Sequence, residues 1–208
     1  MSERIDLKGL ERKAWTSYLQ DGLLDMFLGL LLLGMGVFLV VPDAGVSDSV
    51  GMVIFVGLQV TGLVLLGAGK RYITVPRIGR AEFGAARKER KRKAGMYVSV
   101  AFLLLLLLLF LGRTAMDTLF GPVLGETGLT IGVGVAIAAG IWLAAYFKDF
   151  PRGYVHGALY GIAFSWAFLF DKPIVFVVAG AIILLIGLVV FLRFLGKYPA
   201  PEGGEPSS

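Results

Sequence analysis

Six stretches of this chain run apolar for about the length an α-helix needs to cross a bilayer, and nothing else in the sequence constrains the fold as tightly. At 1.5 Å per residue, roughly 20 apolar residues cover the ~30 Å of hydrocarbon. The stretches fall at about 22–42, 50–69, 95–112, 127–147, 154–170 and 173–195. The third contains seven consecutive leucines, Leu103 to Leu109, as expected of a helix that faces lipid. With 57% hydrophobic residues, above the roughly 45–50% of soluble domains, the expected solvent is lipid. A mean hydropathy of +0.80 points the same way. The expected fold class is therefore all-α integral membrane, with six transmembrane helices.

Orientation follows from the basic residues, since cytoplasmic loops are enriched in Lys and Arg. If the chain crosses six times, 18 of its 20 lysines and arginines fall on one side, and only Arg113 and Lys172 on the other. Both termini are expected in the cytoplasm, in the cell membrane. The first apolar stretch begins only near residue 22, is too long for a signal-peptide core and is followed by no small-residue cleavage pattern, so it reads as a retained span.

The organisation reads as follows. Residues 1–21 form a cytoplasmic interfacial amphipathic helix, with Ile5, Leu7, Leu10, Ala14, Trp15, Tyr18 and Leu19 toward the membrane and Lys8, Glu11, Arg12 and Lys13 elsewhere on the wheel. Residues 22–69 form a first transmembrane hairpin, 70–94 a basic cytoplasmic loop, 95–147 a second hairpin and 148–195 a third. Residues 196–208 form a disordered tail. The segments after the even-numbered spans share a pattern: an aromatic (Tyr72, Phe147, Phe194) precedes a proline (Pro76, Pro151, Pro199), which is followed by arginine in the first two cases. The aromatic anchors a helix end, proline stops it and arginine meets headgroups. Three duplicated hairpins would produce this pattern; so would the general residue preferences of membrane helix ends.

Small residues recur at every fourth position in two spans: Gly132, Ala136, Gly140 and Ala144 in the fourth, Gly153, Gly157, Gly161 and Ser165 in the fifth. In lipid, helices associate through close packing of such faces. The stripes predict a close crossing of these two spans or an oligomer contact, with the lining of a substrate path as the functional alternative. In the second span, Gln59 and Thr61 are the most deeply placed hydrogen-bonding side chains, and Gln59 is expected to bond a neighbouring helix.

Candidates for chemistry are few. The first span opens as "SYLQDGLLDMFLGL". On one helix, Asp21 and Asp25 would share a face about 6 Å apart. Ser17 can cap such a helix, with Asp21 near its positive end, but Asp25 lies too far along for a capping role and needs a basic partner such as Arg193 or Arg152. The pair is thus either a structural ion-pairing element or a candidate ion or proton site. His156, the only histidine, is expected to act as a hydrogen-bonding residue near the interface, with a titrating role as the alternative. It cannot activate Ser165, which sits nine residues on and on the opposite helix face. The run Arg87, Lys88, Arg90, Lys91, Arg92 and Lys93, just ahead of the third span, reads as a topology determinant and anionic-lipid patch, with Arg77 and Arg152 as further headgroup contacts. A nucleic-acid partner is not expected.

The absence of cysteine excludes disulfides, thiolate metal sites and cysteine nucleophiles. Asparagine is also absent, which excludes N-glycosylation, and with only two glutamines the composition suits a thermophile. No catalytic motif, metal-ligand spacing or phosphate loop is present, so neither an enzyme nor a cofactor or metal is expected.

The segments "DGLLDMFLGLLLL", "VPRIGRAEFG" and "KYPAPE" resemble a group of small uncharacterised prokaryotic multi-pass membrane proteins that carry D-G-L-x-(D/E) and P-R-(I/L)-G segments. The matching positions are Asp21, Gly22, Leu23 and Asp25, and Pro76, Arg77, Ile78 and Gly79. The resemblance implies no activity, but it singles out Asp21, Asp25 and Arg77. The leading expectation is a non-catalytic, membrane-embedded interaction or lipid-associated component, with a homo-oligomer or membrane-protein partner. The alternative is a small oligomeric transporter or channel for a cation or proton.

Overall fold

The computed structural model describes residues 19–78, 96 and 112–199. Among them the chain is helical throughout, with no strand. Helix α1 (Leu23–Val40) closes in a 3-10 turn, Val41–Ala44. Helix α2 (Asp48–Ala68) continues through a π-helical turn, Gly69–Thr74, and a last α-turn, Val75–Ile78. Helix α3 (Gly112–Lys148) is two helices joined at Gly125, whose φ of 64° and ψ of 175° belong to a region open essentially to glycine alone. Helices α4 (Arg152–Phe170) and α5 (Ile174–Lys197) complete the fold.

Four segments are long and apolar enough to cross a membrane: Leu23–Ala44, Asp48–Ile78, Gly125–Lys148 and Ile174–Lys197. Helix α4, which corresponds to the fifth expected span, is not among them. The third expected span, 95–112, lies outside the described residues apart from Met96 and Gly112. So do residues 1–18 of the expected interfacial helix, residues 79–94 of the basic loop and residues 200–208 of the tail.

The second helix does not stop at residue 69 or at Pro76. It runs to Ile78, because a proline without an N–H is tolerated where it enters the first turn of a new α-helical segment, just after the π-turn has shifted the hydrogen-bond register. Pro151, by contrast, does mark a boundary. The chain reverses at Asp149 (φ 52°), and α4 starts directly after the proline.

Among the described residues, the closest contacts cross the boundaries of the expected hairpins. The most intimate pairs are α1 with α5, the first and last long helices among the described residues, and α3 with α4. Helix α2 lies against α1 and leaves most of its surface exposed, including Val53 and Val64. The α1–α5 contact is antiparallel and made of glycine: a Cβ on Gly29 would lie 2.5 Å from the backbone nitrogen of Leu184, and one on Gly36 would lie 2.6 Å from that of Val177. Gly22 at the N-cap of α1 with Gly29 and Gly36 on it, and Gly180 and Gly187 on α5, each recur every seven residues. That period keeps them on one seam of two coiling helices. Beside this seam, Leu32, Ile137, Tyr160, Ala163, Ala167, Phe176, Ala179 and Ile183 form a core drawn from α1, α3, α4 and α5.

The close crossing of α3 and α4 uses a different face of α3 from the one the sequence suggests. Gly132 and Gly140 meet nothing within 4 Å, and Ala136 is exposed. The contact runs instead through Gly134, Ala138, Trp142 and Ala145, which meet Gly161, Gly157 and Gly153 of α4, with Ser165 against Gly134. Each set recurs at helical spacing, so periodicity alone cannot choose between adjacent faces. Bulk decides: the chosen face carries Trp142, whose indole N–H donates to the Tyr154 carbonyl at 2.7 Å.

Candidate functional site

The polar residues of the first span converge where three elements meet. The chain before α1 makes a turn through Gln20 and Asp21, and Gly22 adopts the left-handed conformation (φ 77°) with the backbone of α5 pressed against it. Helix α1 therefore begins at Leu23. Asp21 precedes the helix and accepts the Leu23 N–H on Oδ1 at 3.2 Å, and Asp25 falls in the first turn. This corrects the picture of two carboxylates on one face of a continuous helix. Asp21 precedes the N-cap Gly22 and closes a local turn onto Leu23, the expected cap Ser17 lies outside the described residues, and the break at Gly22 brings Asp25 within reach of the positive helix end.

Both carboxylates are fully buried, yet they look in different directions. Asp21 turns toward the π-helical end of α2. Its Oδ2 accepts the Thr74 hydroxyl at 2.6 Å and lies 2.6 Å from the Lys70 ammonium. Asp25 turns toward the start of α4. Its Oδ2 is 3.2 Å from Arg152 Nη2, and its Oδ1 is 3.4 Å from His156 Nε2. The same Arg152 nitrogen donates to the Leu19 carbonyl at 2.8 Å, so one guanidinium holds both the entry turn and the first turn of α1. Phe150 packs beside this group, its ring 5.7 Å from the imidazole and 5.4 Å from the guanidinium carbon. One turn further along α4, the buried Tyr160 donates its hydroxyl to the Leu28 carbonyl at 2.6 Å.

The two acids differ sharply in how well they are satisfied. Asp21 has a backbone donor, a hydroxyl donor and an ammonium. Neither oxygen of Asp25 receives an aligned hydrogen bond from the described residues, and neither nitrogen of His156 has a hydrogen-bond partner there. A buried ion pair of this kind loses much of its Coulomb gain to desolvation, while removing one partner costs about 3–5 kcal/mol.

The remaining candidates are distributed as follows. Arg152 is partly buried, pairing with Asp25 and donating to the Leu19 carbonyl. Arg77 is half-buried and donates through Nη1 to the Ile73 carbonyl at 3.3 Å. Arg87, Lys88, Arg90, Lys91, Arg92 and Lys93 lie outside the described residues. Gln59 reaches the Leu31 carbonyl of α1 at 3.4 Å, whereas Thr61 is exposed. Arg193 is exposed as well. Between α3 and α4 lies an almost wholly apolar groove of about 390 Å³ lined by Gly134, Ala138, Trp142, Gly161, Ser165 and Trp166. No group of three metal-ligating side chains occurs among the described residues.

Sequence reasoning missed Lys70 and Thr74 as partners of Asp21. The available signal was the spacing of four between them, which presents both to one neighbour. It also missed the seven-residue glycine period, having searched only for a period of four. Comparison of the chain with family models, curated proteins and solved structures found no match.

Proposed function

We propose that this protein is a six-span, non-catalytic component of the cell membrane with both termini in the cytoplasm, working through contacts within the membrane and through anionic lipid at its basic cytoplasmic segment. The observation that supports this reading is the internal neutralisation of both carboxylates in the first span, Asp21 by Lys70 and Asp25 by Arg152. Each pair ties α1 to another element, as a structural clasp does; a cation pathway would leave carboxylates unpaired toward water. The four membrane-compatible helices support the membrane setting, and, given six crossings, the 18-to-2 division of basic residues supports the orientation. Partners in this reading are anionic phospholipids and a second copy or another membrane protein; no nucleic acid, cofactor or metal takes part.

The lipid contact is tested on the full-length protein, stripped of lipid in detergent and mixed with an anionic or a zwitterionic phospholipid, with bound lipid counted by native mass spectrometry. Each basic residue near a membrane surface contributes about 1 kcal/mol toward anionic lipid. Retention should favour the anionic lipid, and replacing Arg87, Lys88, Arg90, Lys91, Arg92 and Lys93 with glutamine should abolish the preference. Equal retention of both lipids by the unaltered protein would remove the lipid part of the proposal.

A further inference from the structure

We propose that Asp25 and His156 together form one proton-binding site inside the bundle, with Arg152 as its counter-charge and Asp21 outside it. This goes beyond the lipid-associated reading and does not depend on it. Three observations converge. Asp25 and His156 are both fully buried, and the facing atoms, Oδ1 and Nε2, stand 3.4 Å apart. All four side-chain polar atoms of the two residues lack a hydrogen-bond partner among the described residues. Asp21, four positions earlier, is by contrast saturated by Leu23, Thr74 and Lys70. Two carboxylates in one cluster have been given opposite environments, one surrounded by donors and one left beside an imidazole.

The ligand that suits this gap is a proton. A metal cation would have only two donor residues here and would sit beside the Arg152 guanidinium, 3.2 Å from the other Asp25 oxygen. With the neutral imidazole carrying its own proton on Nδ1, a single further proton drawn from water binds to Oδ1 or Nε2 and, after a small rotation of the ring, becomes shared between them as one hydrogen bond, satisfying an orphan atom on each residue at once. Before uptake Asp25 is an anion balanced by Arg152; after uptake the Asp25–His156 pair gains one positive charge. Arg152 keeps the Leu19 carbonyl and its partial contact with solvent, its side chain being 27% exposed. Among the described residues, the charged and titratable groups around this site are Asp21 from the turn before α1, Lys70 from the π-turn, and Arg152 and Tyr160 from α4; α5 brings the uncharged Gly187, Val190 and Phe191 to the start of α1. Phe150 packs beside the imidazole.

The chain has one histidine, so its imidazole gives an unambiguous nuclear magnetic resonance signal. The full-length protein, labelled with 15N-histidine and 13C-aspartate, is reconstituted in lipid nanodiscs and titrated across the pH range in which it stays folded. If one proton is shared, the His156 nitrogens and the buried Asp25 carboxyl carbon move together with a single midpoint. The isosteric variant Asp25→Asn should abolish that step or shift the imidazole midpoint by more than about one pH unit, a tenfold change in proton affinity. Asp171→Asn, an exposed carboxylate at the far end of α4, should leave it unchanged. Separate midpoints for the two residues in the unaltered protein would overturn the proposal even if the Asp25→Asn variant failed to fold. An imidazole curve that Asp25→Asn leaves in place would overturn it too.

Discussion

Replacing Gly29 with alanine should destabilise the protein, although alanine is the better helix former. The added Cβ would stand 2.5 Å from Leu184 N, 2.8 Å from Leu184 Cα and 2.9 Å from the Gly180 carbonyl. All three are backbone atoms of α5 and cannot rotate away. Restoring ordinary contact requires α1 and α5 to part locally by about 1 Å, and a gap of that size forfeits a quarter to a half of each neighbouring dispersion contact. Overpacking of this kind costs about 1–3 kcal/mol, against roughly 1 kcal/mol regained in helix propensity. Gly57 on α2 supplies the control, since a Cβ there meets nothing within 4 Å. The expected ordering is Gly57→Ala at or above the unaltered protein, and Gly29→Ala below Gly57→Ala by about 1–3 kcal/mol, since both variants gain the same helix propensity and only one is overpacked. Reversible unfolding in mixed micelles, followed by tryptophan fluorescence, measures both. If Gly29→Ala proved as stable as Gly57→Ala, the glycine seam would not be the tight contact described above.

The Asp21–Lys70 pair should behave as a coupled unit. Asp21→Asn or Lys70→Gln alone should cost about 3–5 kcal/mol by stranding a buried charge, and the double variant should cost clearly less than the sum, by 1–3 kcal/mol in a double-mutant cycle; strict additivity would mean the two residues do not interact. Tyr160→Phe, which removes the donor to the Leu28 carbonyl, should lower stability by about 0.5–1.5 kcal/mol, and no change would show that bond to contribute nothing. Gly134→Ala should loosen the α3–α4 crossing while Gly132→Ala leaves it intact, as read by the same unfolding assay. The reverse order would restore the face suggested by the fourfold spacing.

The sequence made the helical, membrane-compatible character legible because apolar runs of span length have few other solutions. It also marked the start of α1 as chemically unusual and named Arg152 among the partners Asp25 would need. The partnership of Asp21 was hidden for a physical reason. Lys70 and Thr74 sit where the expected loop begins, and only the π-turn prolongs α2 far enough to deliver them. A shift from α to π hydrogen bonding leaves no mark in hydropathy. The α3 face that meets α4 was hidden because the rows through Gly132 and Gly134 are both rich in small residues at helical spacing, and the choice falls on the row that carries Trp142. The α1–α5 seam could have been read from Gly22, Gly29 and Gly36 facing Gly180 and Gly187. Nothing local, however, says that the first helix seeks the last.

That pairing of chain ends sets an order in time. Arg152 follows Asp25 by 127 residues, which at ribosomal rates of 5–20 residues per second is a wait of about 6–25 s. The glycine seam waits longer still, until α5 leaves the ribosome. Until then, the newborn first helix carries an unneutralised acid and a bare backbone groove, and whatever shelters it in that interval must let go when the last helix arrives.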